Sequence, residues 1–512
     1  MEEQYRKDRI AEIEEEAKNL ESSLDSKIKA ADQRLFGVQR RYETEPYELN
    51  EMISVLDQVG QHSMVEECRP IEGKGLKKFL KRVFRKCVRF YIRPIVEEQN
   101  NLNAVIEKGL DQVYQFEQSM LQVMAENDRL VREVQWMKRQ IPAVEKKKIR
   151  KDQMRVVQML PSLAFGDGIG NDTLALKKTL EENGYETEIY VEWVDERLPQ
   201  GTARSWEEYE ERPDDILLYH LSTGSEMNYR LADYRCRKVV IYHNVTPPHF
   251  FAEYHPEAWQ GCKKGLEAVR FLADKVDYCF ADSAFNKGDL RKMGYQGPIE
   301  VLPILIAFED FEKQPNQAVL ERYQGDGYTN IVYTGRVVPH KRQEDLITAF
   351  YYYKKNYNPK SRLILVGAYG EQDRFYQNLR EYERELGVED VIFTGHTKFD
   401  EILAYYQLAD VYLSMSEHEG FCIPLVEAMY FEIPIIAYDS CAVGETLGGS
   451  GLLLSDKNPQ PAAAAIHRVV TDSELRQAIL AGEKERLSDF SHEKIQRQFL
   501  QRLEALIEEE VS

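Results

Sequence analysis

Two consecutive series of strand and helix patterns, beginning near residue 154, limit the fold of this chain more than any other feature. In each series, short runs rich in β-branched and aromatic residues alternate with segments that carry one polar face; the first series ends near residue 307. Such alternation builds parallel sheets with helices on both faces. The sequence therefore predicts an α/β protein with two doubly wound domains that face each other. The runs are RVVQML, TEIYVEW, ILLYHL, VVIYHN, VDYCFAD and IEVLPIL, then NIVYTG, RLILVG, VIFTG, VYLSMS, PIIAYD and GLLLS.

The composition excludes several classes of protein. The 512 residues include 87 Asp and Glu against 67 Lys and Arg, a formal net charge of −20. Nucleic-acid binding depends on cations that neutralise phosphates, so no nucleic-acid partner is expected. Seven cysteines without a CxxC pair argue against a disulfide scaffold or a zinc ribbon. The N-terminus lacks the form of a signal peptide, and no apolar run reaches the roughly 18–20 residues that span a bilayer, so we expect a cytoplasmic protein.

Residues 1–149 depart from the α/β pattern, and their first part, residues 1–72, is predicted to be helical. From Glu2 to Leu35 the chain lacks Pro and Gly and carries a narrow apolar seam. Both a helix that packs on its neighbour and an independent coiled coil fit this seam. The seam residues are Ile10, Ile13, Ala17, Leu20 and Leu24.

Residues 73–95 contain a basic amphipathic helix at 74–93, which Pro94 ends. Apolar residues recur at helical spacing on one face, Lys and Arg fill the other, and no acid occurs between Glu72 and Glu97. Such a helix is expected to lie flat on an anionic membrane surface. A helix packed on the protein body and a nucleic-acid-binding helix are the alternatives. The cations are Lys77, Lys78, Lys81, Arg82, Arg85, Lys86, Arg89 and Arg93.

Residues 96–149 carry a heptad seam from Leu102 to Ile141, in which apolar steps alternate between four and three residues. This register predicts a coiled coil. Asn127 occupies an a position, where a buried Asn is best satisfied by its counterpart in a parallel dimer. We therefore expect a homodimer through residues 102–141, with an amphipathic helix lying on the α/β body as the alternative.

The strongest chemical motif is SMSEHEGFCIPLVEAMYFEIPIIAYD, residues 414–439. A predicted strand ends in a loop, Pro424 suits the first turn of the next helix, and Glu419 and Glu427 lie eight residues apart. A helix N-terminus presents unpaired N–H groups and a positive dipole to a phosphate. A carboxylate just inside that helix can accept both hydroxyls of a ribose, whereas Glu419 would face the group on the distal phosphate.

This motif resembles the Glu-x7-Glu signature of the family 4 (group 1) retaining glycosyltransferases of the bacterial surface-polysaccharide assembly type, which have the GT-B fold. The family's companion motif reads YTGRVVPHKR here, with matches at Gly335, Arg336, Pro339 and Lys341. The resemblance implies that Arg336 and Lys341 hold the diphosphate of a nucleotide-sugar donor. Two cations can neutralise a leaving diphosphate without a metal, so neither a metal nor a cofactor is expected.

The same resemblance assigns the remaining donor contacts. It implies that Glu427 binds the ribose and that Glu419 binds the sugar hydroxyls together with the amides of Gly420 and Phe421. A carboxylate nucleophile is not required, because the family implies front-face attack assisted by the departing phosphate.

Two segments of the first α/β domain support the resemblance. The glycine-rich loop FGDGIGND, residues 165–172, follows the first strand, and Gly168 and Gly170 would approach the donor. IYHNVTPPHFF, residues 241–251, resembles the family's strand-terminal His, which implies that His243 donates a hydrogen bond to the sugar or steadies developing charge. Three further residues either line the cleft or cap strands and helices: His220, Ser222 and Ser283.

The resemblance covers about residues 154–505 and implies an acceptor domain at 150–307, a donor domain at 308–488 and a C-terminal helix at 489–512 that returns to the first domain. The activity implied is retaining, metal-independent transfer of a sugar to a lipid-linked or growing surface glycan. With the basic helix, the protein would be peripheral on the inner face of the plasma membrane.

Two other functions remain open at this point. A coiled-coil scaffold with a non-catalytic GT-B body is the alternative from another class, and the intact Glu and cation motifs count against it. A phosphorylase or a nucleotide-sugar epimerase on the same fold is the closer enzymatic rival.

Overall fold

The computed structural model describes residues 154–508 and scattered positions between residues 9 and 36. The chain divides into two units, of which one, Glu43–Lys146, lies outside the described residues. The basic helix of 73–95 and the coiled coil of 96–149 fall outside the described residues and therefore stay predictions. In the part that is described, no helix is both long enough and apolar enough to cross a bilayer.

The N-terminal α/β domain is built on a seven-stranded sheet. Its strands are β1 (Arg155–Leu163), β2 (Glu186–Val194), β3 (Arg204–Ser205), β4 (Ile216–Leu221), β5 (Arg237–Tyr242), β6 (Tyr278–Ala281) and β7 (Ile299–Val301). They are all parallel and lie in the order β3-β2-β1-β4-β5-β6-β7. The helices are α1 (Gly168–Glu182), α2 (Glu226–Arg230), α3 (Pro256–Leu272) and α4 (Ala284–Lys292).

The C-terminal α/β domain repeats this architecture with six strands. They are β8 (Thr329–Thr334), β9 (Ser361–Val366), β10 (Val391–Phe393), β11 (Val411–Ser414), β12 (Ile435–Tyr438) and β13 (Leu452–Leu454). All are parallel, in the order β10-β9-β8-β11-β12-β13. The helices are α5 (Gln317–Tyr323), α6 (Gln343–Asn356), α7 (Arg374–Leu386), α8 (Phe399–Leu408), α9 (Ile423–Tyr430), α10 (Val443–Leu447), α11 (Pro459–Thr471) and α12 (Ser473–Leu487).

The strand order places the functional loops. Helices cover both faces of each sheet, so central strands are buried on both sides and read as nearly unbroken apolar runs; every residue of β4 and of β9 is buried. The order reverses at β1 in the first sheet and at β8 in the second. Ligands of doubly wound sheets bind outside the carboxyl ends of the strands at such reversals. The loops after β1, β4, β8 and β11 therefore form the candidate site.

The last helix, α13 (His492–Glu508), follows the C-terminal domain in sequence but contacts the N-terminal one. The Phe499 ring centre lies 6.0 Å from that of Phe280 on β6, and Gln498 Nε2 donates to the Val301 carbonyl of β7 at 2.7 Å. At the other end of the chain, the Phe36 ring is buried and lies 5.5 Å from Tyr382 on α7. Both ends of the described chain thus pack on the α/β body.

Candidate functional site

The centre of the candidate site is an ion pair between two loops of the C-terminal domain. Lys341 ends a short turn after β8, and Glu419 lies in the loop between β11 and α9. Lys341 Nζ lies 2.6 Å from Glu419 Oε1, and the side chains are 19% and 8% exposed. The structure therefore brings together the cation and the first carboxylate that the sequence assigned to the donor.

A second ionic cluster holds these two loops in place. Arg342, which adopts a left-handed φ of 55°, contacts Asp345 at 2.9 Å and Glu417 at 3.4 Å. Lys457 Nζ lies 2.5 Å from Glu417 Oε1. Glu417 thereby links the turn that carries Lys341 to the loop that carries Glu419. Sequence reasoning missed this cluster, although the charged run from Lys341 to Asp345 was a visible signal.

The other residues that the resemblance assigns to the donor are not joined to this pair by any hydrogen bond among residues 154–508. Glu427 lies on α9 and accepts a hydrogen bond from the Tyr406 hydroxyl at 2.5 Å, and burial raises the pKa of its carboxyl. Arg336 is exposed, and no acid within 154–508 forms an ion pair with its guanidinium. Arg336 is thus a cation that is open to an anionic ligand.

Gly420 and Phe421 lie where the C-terminal domain contacts the N-terminal one. A Cβ on Gly420 would lie 2.8 Å from Asn244 Cβ and 3.0 Å from the His243 carbonyl oxygen, so only glycine fits this contact. Ser283 Oγ donates to the Gly420 carbonyl at 2.6 Å. Phe421 is buried, with its ring 5.5 Å from Phe490.

The glycine-rich loop after β1 makes a second contact between the domains. A Cβ on Gly168 would lie 2.5 Å from Ile423 Cδ1 at the start of α9, so a larger residue would require the end of the Ile423 side chain to move. Gly170 is constrained within its own domain, because its Cβ would lie 2.9 Å from the Ala164 carbonyl oxygen. Asp167 caps α1 by accepting a hydrogen bond from the Gly170 amide.

Further contacts fix the relation of the two domains. Glu445 at α10 accepts hydrogen bonds from the amides of Ala284 and Phe285 at 2.7 Å and 3.2 Å and so caps α4 of the other domain. His418 Nε2 lies 2.6 Å from Asn244 Oδ1. Asn244 has a φ of 76°, a strained value for a residue other than glycine that is typical of functional sites.

His243 begins a buried hydrogen-bonded chain at the end of β5. Its Nδ1 lies 2.9 Å from Asp282 Oδ2, and its Nε2 lies 2.9 Å from His220 Nδ1. His220 Nε2 lies 3.0 Å from Gln158 Oε1, and Gln158 Nε2 donates to the Thr173 carbonyl at 3.0 Å. All four side chains are buried.

The direction of each hydrogen bond assigns the protons. The Thr173 carbonyl requires the amide group of Gln158 as donor, so Gln158 Oε1 accepts from His220 Nε2–H. A neutral His220 then offers an unprotonated Nδ1 to His243 Nε2–H. One further proton lies between His243 Nδ1 and the Asp282 carboxyl, whose pKa burial raises. We assign this proton to the ring, as an imidazolium paired with Asp282, because the surrounding carboxylates raise the pKa of His243.

The electrostatic surroundings agree with this assignment. Burial, with the adjacent His243, lowers the pKa of His220 well below its ordinary value. Burial alone would lower the pKa of His243, but the carboxylates of Asp282, Asp172 and Asp167 outweigh it and raise that pKa. Burial also raises the pKa of Asp172 to about 7.

The sequence predicts a hydrogen bond from His243 to the sugar, and this contact stays a prediction. In the structure both ring nitrogens form hydrogen bonds inside the N-terminal domain, so a sugar would have to displace one of them. The signal for the network was the pair of strand-terminal residues His220 and His243, which lie on the adjacent parallel strands β4 and β5.

Asp172 and the two histidines also have the spacing of ligands for a cation. Potential ligand atoms of Asp172, His220 and His243 lie within 4.8 Å of one another. The hydrogen bonds engage all four imidazole nitrogens, so a metal ion could bind here only by displacing protons from this network.

The sequence left open whether His220, Ser222 and Ser283 line the cleft or cap strands and helices. Ser283 both caps a helix and contacts the other domain. It caps α4 by accepting from the Asn286 amide at 3.1 Å and also reaches Gly420. His220 belongs to the buried network, and Ser222 is half-buried.

Two parallel α/β domains with facing carboxyl edges define a GT-B-like fold, and the predicted fold is thereby confirmed at this level. Solved structures with the same fold include sucrose-phosphate synthase from Thermosynechococcus elongatus, with a TM-score of 0.55 at 16% identity over 69% of this chain and 99% of that chain. Anabaena HepE in complex with UDP-glucose gives a TM-score of 0.51 at 18% identity, over 68% of this chain and 99% of that chain.

The C-terminal domain is similar to a known family in sequence as well. Residues 322–486 match the family model described as Glycosyl transferases group 1. A GDP-mannose-dependent α-(1-6)-phosphatidylinositol monomannoside mannosyltransferase of Mycobacterium tuberculosis is 25% identical over 45% of this chain. The O-antigen chain mannosyltransferase B of Escherichia coli is 24% identical over 50% of this chain and 67% of its own length. The chain spans 62% of the length of the mycobacterial relative.

Proposed function

We propose that this protein is a retaining glycosyltransferase that moves a sugar from a nucleotide diphosphate sugar to a lipid-linked or growing surface-glycan acceptor. The observation that supports this most is the Lys341–Glu419 pair, which lies at the carboxyl edge of the C-terminal sheet and within the segment that matches group 1 glycosyltransferases. The two named relatives are mannosyltransferases, which supports the same reaction class.

In this proposal, the donor lies mainly on the C-terminal domain. Lys341 and the exposed Arg336 neutralise the diphosphate, whose negative charge increases as the glycosidic bond breaks. Glu427 binds the ribose hydroxyls, since its carboxylate lies on the helix that begins at this edge. Donor binding would exchange the Lys341–Glu419 contact for two ligand contacts, because the cation turns to phosphate and the carboxylate accepts sugar hydroxyls together with the neighbouring amides.

Because the diphosphate is neutralised by side-chain cations, the proposal requires neither a metal nor a cofactor. The departing phosphate assists attack by the acceptor hydroxyl from the same face, which retains the anomeric configuration. His243 donates a hydrogen bond to the sugar or steadies developing charge in this scheme, and its carbonyl group borders Gly420.

The proposal is tested by thermal unfolding of the full chain with UDP-, GDP-, ADP- and TDP-sugars. A donor at 100 times its Kd stabilises the folded protein by about 2.7 kcal/mol, so one nucleotide class should raise the unfolding temperature clearly. Release of the nucleotide diphosphate by the same protein would then show turnover. If no nucleotide sugar shifts unfolding and none is hydrolysed, the non-catalytic scaffold is the better interpretation.

We also propose that the basic helix predicted at 74–93 holds the protein peripherally on the inner face of the plasma membrane, where a lipid-linked acceptor would be found. Flotation with phosphatidylglycerol vesicles should recover the full chain, whereas Lys78, Arg82 and Arg85 all changed to Glu should abolish recovery. Vesicles of phosphatidylcholine serve as the control for charge. Equal flotation of the variant would remove this part of the proposal. If the full chain sediments as a monomer, the predicted homodimer through residues 102–141 is wrong.

A further inference from the structure

The described residues between positions 9 and 36, here called the N-terminal strap, pack on the C-terminal domain. Arg34 Nη1 lies 2.8 Å from Glu381 Oε1 on α7. Nearer the start of the strap, Glu16 Oε2 lies 3.0 Å from Arg468 Nε on α11. The strap therefore belongs to the folded body, although it precedes both α/β domains in the sequence. Its buried apolar side chains are those of Ile13, Ala17, Ile28, Ala31 and Phe36.

The end of the strap lies where the two α/β domains meet. The Phe36 ring is 1% exposed, and its centre lies 6.1 Å from that of Phe375 on α7. Phe375 also faces Tyr254 of the N-terminal domain, with the ring centres 5.2 Å apart. The Leu35 carbonyl accepts hydrogen bonds from the Tyr254 hydroxyl at 3.4 Å and from Asn378 Nδ2 on α7 at 2.9 Å. Leu35 and Phe36 thus fasten Tyr254 to the C-terminal domain.

Tyr254 belongs to the segment that connects β5 to α3, and this segment packs on the turn that carries Lys341. The rings of Phe250 and Phe251 have their centres 5.8 Å and 5.7 Å from that of His340. His340 is buried and directly precedes Lys341 in the chain. Because a close-packed interior transmits small displacements, a shift of Tyr254 would reach this turn.

We propose that Phe36 is a positioning residue for the nucleotide donor: through Tyr254 it holds the turn that presents Lys341 to the diphosphate. The inference rests on the proposed function and deepens it with a residue outside the segment that matches the glycosyltransferase family. A turn that is fixed before the donor arrives loses less conformational entropy on binding, which strengthens binding without a new contact. Phe36 touches no part of the donor in this scheme and acts only through its neighbours.

The test is the Kd of a nucleoside diphosphate for the full chain, measured by calorimetry with UDP, GDP, ADP or TDP according to the thermal screen. Phe36→Ala should raise this Kd about tenfold, and Phe36→Leu should recover much of the affinity because it refills most of the space. Tyr254→Phe is a milder variant that removes only the hydroxyl bonded to Leu35, and it should raise the Kd about threefold.

The Kd separates positioning from a loss of stability. If Phe36 served stability alone, its removal would lower the number of folded binding sites but leave the Kd of each site unchanged. Ile13→Ala is the matched control, because Ile13 is also buried in the strap but lies beside Glu12, whose carboxylate is 3.6 Å from Arg468 on α11. It should bind the nucleotide as the wild type does.

A double variant tests the route from the strap to Lys341. Phe36→Ala and Phe251→Ala interrupt the same row of contacts, so the two changes together should weaken binding no more than the stronger one alone. Independent effects would instead multiply in the Kd.

Three results would overturn the inference: wild-type affinity in both Phe36→Ala and Tyr254→Phe, equal weakening by Ile13→Ala and Phe36→Ala, or multiplying effects of Phe36→Ala and Phe251→Ala. If the wild type binds a nucleoside diphosphate while any of these holds, only the positioning role is wrong. A wild type that binds none of the four nucleotides removes the proposed function and this inference together.

Discussion

Lys341→Ala is expected to lower kcat/KM for sugar transfer by about 10²- to 10³-fold, the loss typical when one group that stabilises developing charge is removed. Lys341 Nζ lies 2.6 Å from Glu419 Oε1, and both side chains are largely shielded from water. The variant would lose the cation that faces the diphosphate and would leave Glu419 as an uncompensated charge beside it. Steady-state kinetics with the nucleotide sugar identified by thermal shift would measure the change, mainly in kcat.

Two further variants make this result specific. Lys341→Arg retains the positive charge and should keep more activity than Lys341→Ala, although the guanidinium has a different shape. Lys484→Ala removes a lysine that is 78% exposed and lies 3.8 Å from Glu432, so its activity should match that of the wild type. Full activity in Lys341→Ala would show that the donor diphosphate binds elsewhere.

Asp282→Asn is expected to destabilise the folded protein by about 1–3 kcal/mol, because the buried His243 ring loses its counter-charge, releases its proton and exchanges a charge-assisted hydrogen bond for a weaker neutral one. Asp282 Oδ2 lies 2.9 Å from His243 Nδ1, and both side chains are almost completely buried. The variant should also remove the main cause that raises the pKa of His243. The Cε1–H resonance of His243 should then titrate at a lower pH in the variant than in the wild type.

The pH dependence of stability follows from the same groups. A raised pKa of His243 stabilises the folded state fully below its ordinary value of 6.5, and this contribution is lost as pH rises through the folded-state pKa. Asp172, raised to about 7, acts in the same direction, since the folded protein keeps a proton that the unfolded chain has released. His220, whose pKa is lowered, opposes them only below 6.5.

Above pH 6.5 the unfolding temperature of the wild type should therefore fall, and Asp282→Asn should show a shallower decline. Asp310→Asn is the control, because the Asp310 side chain is 46% exposed and forms only a surface ion pair with Lys313. Its slope should match that of the wild type. Identical slopes in the wild type and Asp282→Asn would contradict the imidazolium assignment.

Local patterns in the sequence were sufficient to predict most of the fold. Runs such as those of β4 and β9 are short, apolar and bounded by polar segments, and this is the signature of strands that are buried on both faces. Lys341 and Glu419 were identified because their motifs resemble those of a known family and lie in loops after predicted strands, and parallel strands place their carboxyl ends at one edge. The resemblance then implied which part of the donor each residue binds.

The interior of the site did not follow from such patterns. The Gln158 to His220 contact joins residues 62 positions apart, and the Ser283 to Gly420 contact joins residues 137 positions apart and from different domains. The exposure of Phe165 and Trp193 was not predicted either, because exposure is a property of the folded chain.

The sequence by itself thus determined the two doubly wound domains, their order and the loops that carry the Lys and Glu residues, since apolar periodicity and glycine-rich turns act over a few residues. Only the tertiary structure decided which groups those loops meet. It used both nitrogens of His243 inside the N-terminal domain and joined Lys341 to Glu419 across two loops. The physical reason is that hydrogen-bond direction, burial and charge pairing depend on distances between atoms that lie far apart in the chain.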